Sequence, residues 1–272
     1  MIGAIAGDII GSPYEFGPIK PNTHDFPLWN TQSRFTDDSV MSLAVADALM
    51  RSIDEGTIFD DEIISSMQAF GRRLPNAGYG GRFYDWIYAD EPQPYNSWGN
   101  GSAMRVSPIG WAFGNLKDTL RYATASARVT HNHPEGIKGA QATAAAIFLA
   151  RTNNSKEAIR SYLSKTFGYN LERTLDDIRP VYEPAVSCQE TVPEAMIAFF
   201  ESSDYEDAVR KAVSLGGDTD TLACICGSVA EAFYGVPEDI EREARSRLDD
   251  FLLDTLNRWQ AWLRQRRSSC RF

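Results

Sequence analysis

The chain has 272 residues, 43% of them apolar and 24% charged, with a formal net charge of −10. That length buries on the order of 75% of the unfolded surface in one core. The acidic balance excludes broad binding to nucleic acid or anionic membrane, which needs basic surface.

No stretch is apolar for the ~20 residues of a spanning helix. The short apolar run at the N-terminus has no basic residue before it and holds Asp8, so no secretory leader is expected. Four cysteines show no metal-type spacing, and Cys224 and Cys226, two apart on one predicted helix, point in different directions. A reduced, cytoplasmic protein is predicted.

The first predicted helix is 1–11. Gly3, Gly7 and Gly11 recur every four residues and line one face. Glycine inside a helix costs about 1 kcal/mol against alanine, so close approach of another backbone is the expected return. Membrane dimers use similar patterns, but this run is too short for one. Pro13, Pro18, Pro21 and Pro27 make 12–32 a loop. A helix follows over 38–51, with Val40, Met41, Leu43, Ala44, Val45, Ala48 and Leu49 as its apolar positions, and another over 59–74. Residues 75–100 are rich in Gly, Tyr and Trp and read as a loop or short helices. Residues 101–113 are apolar but broken by Pro108.

Further helices are predicted over 116–129, 136–151 (Ala-rich), 155–167, 194–200, 204–213 and 222–234, with a turn at 130–135. The longest is 238–267, where Leu248, Phe251, Leu252, Leu256, Trp259, Trp262 and Leu263 form one stripe. Its closing arginines suit a helix C-terminus. Period-two alternation is scarce, and no linker or fixed-period repeat breaks the chain. The expectation is one all-α domain over residues 1–272, a compact helical bundle.

Two acidic clusters sit at predicted helix mouths. Gly216-Gly217-Asp218-Thr219-Asp220-Thr221 opens the 222–234 run, and Thr36-Asp37-Asp38-Ser39 opens 38–51. Either alone reads as an N-cap, which needs one oxygen. Together they offer all-oxygen ligands suited to hard cations. Four carboxylates beside apolar helices repel unless cations balance them. The two mouths are therefore expected to face each other across a binuclear centre at one end of the bundle. Asp37, Asp38, Asp218 and Asp220, with the hydroxyls of Thr36 and Thr221, would hold two Mg²⁺ or Mn²⁺.

Other segments are ambiguous by themselves. Gly99-Asn100-Gly101-Ser102-Ala103-Met104-Arg105 is either a phosphate-cradling loop or a plain turn. His131 and His133 lack a third zinc ligand nearby; His131 is a candidate to hydrogen-bond a substrate hydroxyl or phosphate, and His133 a turn residue. His24-Asp25 sits in a proline-rich loop and is discounted as a metal pair. Glu15 alone is an ordinary loop acid. Tyr79, Phe83, Tyr84, Trp86, Tyr88, Tyr95 and Trp98 are either base-stacking or satellite core.

Taken together, Gly3 to Gly11 with Glu15, Phe35-Thr36-Asp37-Asp38-Ser39, Gly99 to Arg105, Thr130-His131 and Gly216 to Thr221 resemble the ADP-ribosylglycohydrolase family, in the family's order. That family includes the glycohydrolase that reactivates ADP-ribosylated dinitrogenase reductase. The resemblance implies an all-α fold with a two-metal centre and a hydrolase of ADP-ribose glycosides. It implies metal ligands at Thr36, Asp37, Asp38, Asp218, Asp220 and Thr221. Gly99, Asn100, Gly101, Ser102, Ala103 and Met104 would hold the diphosphate and ribose, and His131 would contact substrate. Glu15 would gate or assist the site, and Asp37 or Asp38 would act as the base.

Ser39 stands where many relatives carry Thr, and the short chain implies reduced loops around the acceptor. The partner implied is an ADP-ribosylated protein or small ADP-ribose conjugate, with no nucleic acid or membrane and a monomer favoured. The alternatives are a non-catalytic ADP-ribose-binding or crystallin-like member and a metal-dependent phosphohydrolase.

Overall fold

The computed structural model describes residues 1–17 and 25–269, with side chains through residue 266; Pro18, Pro21, His24 and Cys270 lie outside them. In chain order the helices are α1 (Ile2–Gly11), α2 (Asp37–Glu55), α3 (Phe59–Arg73), α4 (Gly81–Tyr88), α5 (Gly101–Met104), α6 (Ser107–Ala112), α7 (Leu116–Arg128) and α8 (Pro134–Arg151). They continue with α9 (Lys156–Phe167), α10 (Leu175–Ile178), α11 (Cys188–Glu201), α12 (Tyr205–Val213), α13 (Thr219–Tyr234), α14 (Glu238–Ser246) and α15 (Asp250–Ser269). Among the described residues there is no strand, only an isolated antiparallel bridge between Gly99 and Ser187. The fold is all-α.

Local signals explain most boundaries. Thr36, Asn115, Ser155, Thr174 and Asp204 cap their helices by accepting a backbone N–H, and Thr174 completes a capping box with Asp177. Gly56 and Gly168 close α2 and α9 in the left-handed region that favours glycine.

Four expectations change. The single helix over 238–267 is two, because Asp249 accepts the N–H of Leu252 at 2.8 Å and starts α15 afresh. The apolar stripe hid the break because Leu248 is buried within it. Pro108 does not interrupt a helix; it sits in the first turn of α6, where its missing N–H is harmless. The 194–200 helix extends back to Cys188 and tolerates Pro193 inside it. The fourth difference is α10, a four-residue helix that no predicted element covers.

The centre of the molecule is the pair α1 and α13, which run along each other. Every residue of α1 is buried. Added Cβ atoms at Gly3, Gly7 and Gly11 would fall 2.6 Å from the Gly227 carbonyl, 2.1 Å from that of Ala223 and 2.4 Å from that of Thr219. The glycine face therefore meets α13 backbone to backbone, as its spacing predicts. α2, α8, α11 and α12 pack around this pair, and α15 lies on α2. The Trp262 indole donates to Asp54 at 2.8 Å across that last contact. Buried side chains from Met1 to Trp262 form one core cluster.

Candidate active site

The acids meet where α1, α2 and α13 come together. Gly216 and Gly217 hold φ of 76° and 73°, two successive left-handed residues that turn the chain sharply before Asp218. α13 then starts against the end of α1, where Thr219 donates to the Gly11 carbonyl at 2.9 Å. From α1, Asp8 accepts the Thr36 N–H at 3.0 Å, the Thr36 hydroxyl at 2.7 Å and the Ser39 N–H at 3.1 Å, as well as the Ser39 hydroxyl. Asp8 thus pins the mouth of α2 to α1. The Glu15 segment is tied in by the Phe16 N–H, which donates to the Gly217 carbonyl at 2.7 Å.

The result is two overlapping trios. Carboxylate oxygens of Asp8, Asp38 and Asp220 lie within 4.8 Å of one another, as do those of Glu15, Asp218 and Asp220. Asp220 belongs to both. The Thr221 hydroxyl donates to Asp38 Oδ2 at 3.3 Å, and the Thr36 hydroxyl lies 3.5 Å from the same oxygen. Asp37 lines the same cavity from α2, its Oδ1 beside Gly78.

Burial penalises charge on these groups, and their neighbours repel it further. Asp8 is raised to about 6, chiefly by burial, against hydrogen bonds from Ser39 and Thr36. Asp37 is raised to about 8 by burial and then by Asp8 and Asp218. Asp38 and Asp220 are pushed well above the ordinary carboxylate range, again by burial first.

An all-oxygen donor set with this much unbalanced negative charge fits divalent cations. So does Asp38 Oδ1, which is buried with no hydrogen-bond partner among the described residues.

The cavity has a volume of about 470 Å³, within the range of small-molecule sites. Glu15, Asp37, Asp38, Asp218, Asp220 and Thr221 line one side, and Gly99, Asn100, Gly101, Met104 and His131 another. Asn100 links the two, donating to Asp218 at 2.6 Å and to Thr191 at 3.1 Å. Ser102 and Ala103 lie behind the lining: both are buried, and the Ser102 hydroxyl donates to the Gly136 carbonyl at 2.7 Å. Of the aromatics, Phe83 and Tyr95 reach the cavity. Trp86 is core, while Tyr84, Tyr88 and Trp98 are exposed.

Sequence reasoning missed three contributors. Asp8 carried a signal, a charged residue inside an otherwise apolar Gly-Ala-Ile helix. Arg105 is almost wholly buried and lines the cavity, though it reads as the polar end of a loop. Arg82 lines it too, stacking 4.9 Å over the Tyr95 ring and donating to the Tyr95 carbonyl at 2.8 Å.

Comparison with known proteins places the chain in a family. The family model described as ADP-ribosylglycohydrolase matches residues 1–271. Human ADP-ribosylhydrolase ARH3 is 25% identical over 338 residues, covering 95% of this chain and 92% of that protein. The ADP-ribosylarginine hydrolase Tri1 of Pseudomonas putida is 26% identical over 277 residues, covering 90% and 73%. A solved structure titled ADP-ribosylglycohydrolase-related protein complex shares the fold with a TM-score of 0.66 at 24% identity, covering 94% of this chain and 95% of that one. The chain therefore belongs to the ADP-ribosylglycohydrolase family and is a hydrolase of ADP-ribose glycosidic linkages.

Proposed function

We propose that this chain releases intact ADP-ribose from a modified protein side chain or a small conjugate, using two Mg²⁺ or Mn²⁺ held by Thr36, Asp37, Asp38, Asp218, Asp220 and Thr221. The observation that supports this reading is that Asp220 sits in one carboxylate trio with Asp38, completed by Asp8, and in another with Asp218, completed by Glu15, so that one carboxylate could serve two adjacent cations. Such ions would supply charge compensation and Lewis acidity beside the ribose.

The protein's own groups divide the remaining work. Asp37 is half-buried at the cavity wall and is the residue to accept the proton of the attacking water. Asp38, enclosed by the hydroxyls of Thr36 and Thr221, orients the cluster. Water attacks the anomeric carbon of the ribose as the bond to the acceptor breaks. The surrounding carboxylates favour the oxocarbenium-like charge of that transition state. Glu15, exposed at the rim, closes over or assists the reacting bond. The backbone N–H of Gly101, at the start of α5 and on the cavity wall, has no partner within the helix and suits a diphosphate oxygen, with Ser102 and Ala103 supporting the loop from behind. Met104 and His131 complete that wall.

The same reading has one domain over residues 1–272 acting as a monomer, which light scattering checks. It places the protein in a reducing, cytoplasmic compartment. Cys188, Cys224 and Cys226, buried free thiols, are in keeping with that. Among the described residues no helix is long and apolar enough to cross a membrane.

The test is a panel of ADP-ribosyl-arginine, ADP-ribosyl-serine and O-acetyl-ADP-ribose, with products read by mass spectrometry. A relative named for ADP-ribosylarginine hydrolysis puts that conjugate first. Intact ADP-ribose should appear with Mg²⁺ and disappear with EDTA. Full activity in EDTA removes the metal claim, AMP release points to a phosphohydrolase, and binding without turnover of any conjugate points to a non-catalytic member.

A further inference from the structure

We infer that Arg105 and Thr130 are positioning residues that lock His131 in the tautomer carrying its proton on Nε2, making the ring a fixed hydrogen-bond donor toward the Gly99–Gly101 loop. The role in substrate binding rests on the reading above; the tautomer does not.

The available protons fix the tautomer. The Arg105 guanidinium can only donate. It is 1% exposed, and its Nη2 donates to the Ser126 carbonyl at 2.9 Å and to the Thr130 hydroxyl at 2.8 Å. Thr130 is fully buried, and its oxygen lies 2.7 Å from His131 Nδ1. Among the described residues that hydroxyl has no third partner. Its single hydrogen has one acceptor within reach, His131 Nδ1, and a buried hydroxyl hydrogen left without an acceptor is costly. Nδ1 therefore accepts, and the neutral ring carries its proton on Nε2. Burial and the nearby Arg105 charge hold the His131 pKa well below the ordinary histidine value, so the ring stays neutral.

Nε2 is aimed usefully. It lies 3.5 Å from where a Cβ on Gly99 would sit and 3.3 Å from one on Gly101. Both glycines and His131 line the cavity. Among the described residues Nε2 makes no hydrogen bond. An uncharged donor held there would serve a substrate oxygen, phosphate or hydroxyl, without changing with pH. The His131 Cβ packs close to the α8 backbone, 3.0 Å from where a Cβ on Gly136 would sit. The backbone at Thr130 and His131 is anchored by both N–H groups donating to the Ala127 carbonyl, at 3.1 and 2.7 Å.

His133 provides an internal control. Its Nδ1 accepts the Glu135 N–H at 3.1 Å, so its tautomer is set by backbone alone.

The chain has three histidines, which makes long-range ¹H–¹⁵N correlation of the rings tractable. The His131→Asn variant assigns the His131 signals. Wild-type His131 should show protonated Nε2 and unprotonated Nδ1. Thr130→Val should give a mixture of tautomers at His131 while His133 stays unchanged, and Thr130→Ser should keep the wild-type pattern. In hydrolysis, Thr130→Val should raise KM about tenfold with kcat within about twofold, and Thr130→Ser should restore it. Protonated Nδ1 in the wild type, or unaltered His131 signals in Thr130→Val, overturns the inference. Should Thr130→Val not fold, the wild-type and Thr130→Ser spectra decide alone. A locked tautomer in a protein that turns over no conjugate supports the relay and counts against the enzyme reading instead.

Discussion

The two ends of the α1–α13 pair are built on opposite principles. Toward one end the backbones of Gly3 and Gly7 pack on those of Gly227 and Ala223, with the Glu231 Cβ and the Tyr205 ring closing over Gly3, in a contact that gains dispersion along its length. Toward the other end the same helices bring Asp8, the residue after Gly7, and Asp220, the residue after Thr219, together with Asp38 and Asp218. Carboxylates gathered in this way destabilise the metal-free fold. The rigid end makes the strained end possible: backbone contact fixes α1 against α13 closely enough to hold like charges a few ångströms apart. The close seam runs on past Asp8 to Gly11 and Thr219, so it reaches into the acid end that it braces.

That contrast can be broken at either end. The largest effect is expected from Asp220→Asn, which removes the shared carboxylate. Turnover of ADP-ribose conjugates should fall on the order of 10³-fold. The metal-free variant should gain about 1 kcal/mol in chemical denaturation, because one buried repulsion is gone. A variant that loses activity and stability together would argue that the acids are structural.

Next is Gly7→Ala. Its Cβ would lie 2.1 Å from the Ala223 carbonyl, so the helices must separate, at a cost of about 3 kcal/mol. Denaturation should show that loss in apo and metal-loaded protein alike. A neutral result would mean that the seam is looser than described.

The acid end should also respond to pH. Asp8 and Asp37 have folded values of about 6 and about 8, against 3.8 ordinarily. Groups raised on folding contribute stability that is complete below the unfolded value and lost as pH rises through the folded one. In chelator, Tm should therefore fall between about pH 5 and pH 9, and excess Mg²⁺ should flatten the slope. A Tm that climbs over that window contradicts the assignment.

The smallest effect is expected far from both ends. Arg258 bridges α15 to Asp47 on α2 at 3.3 Å but is partly exposed. Arg258→Ala should change stability by no more than about 0.5 kcal/mol and leave turnover unchanged.

What was legible in the sequence follows the same division. The glycine spacing of α1 predicted a close backbone partner, although only the fold identifies it as α13. The clusters at Thr36–Asp38 and Asp218–Thr221 are local in sequence, and their chemistry could be read before their convergence was known. Asp8 lies within the Gly3–Gly11 motif, and that motif alone assigns it no role. Its task is to accept from Thr36 and Ser39, roughly thirty residues away, and nothing local announces it. Arg105 was missed for the same reason: its partners Ser126 and Thr130 lie on another helix and the turn after it. The break between α14 and α15 was hidden because apolar periodicity carries across a capped turn whose leucine is itself core. Sequence patterns report what a segment buries more readily than where the chain bends to bury it.

The central claim is that residues 36–38 and 218–221 jointly hold two divalent ions through a shared Asp220. Equilibrium dialysis of chelator-stripped protein against Mn²⁺, with the wild type beside Asp220→Asn, tests it most directly. The account predicts two ions per wild-type chain and loss of both in the variant. No bound ion in the wild type, or the same stoichiometry and affinity in the variant, would contradict it.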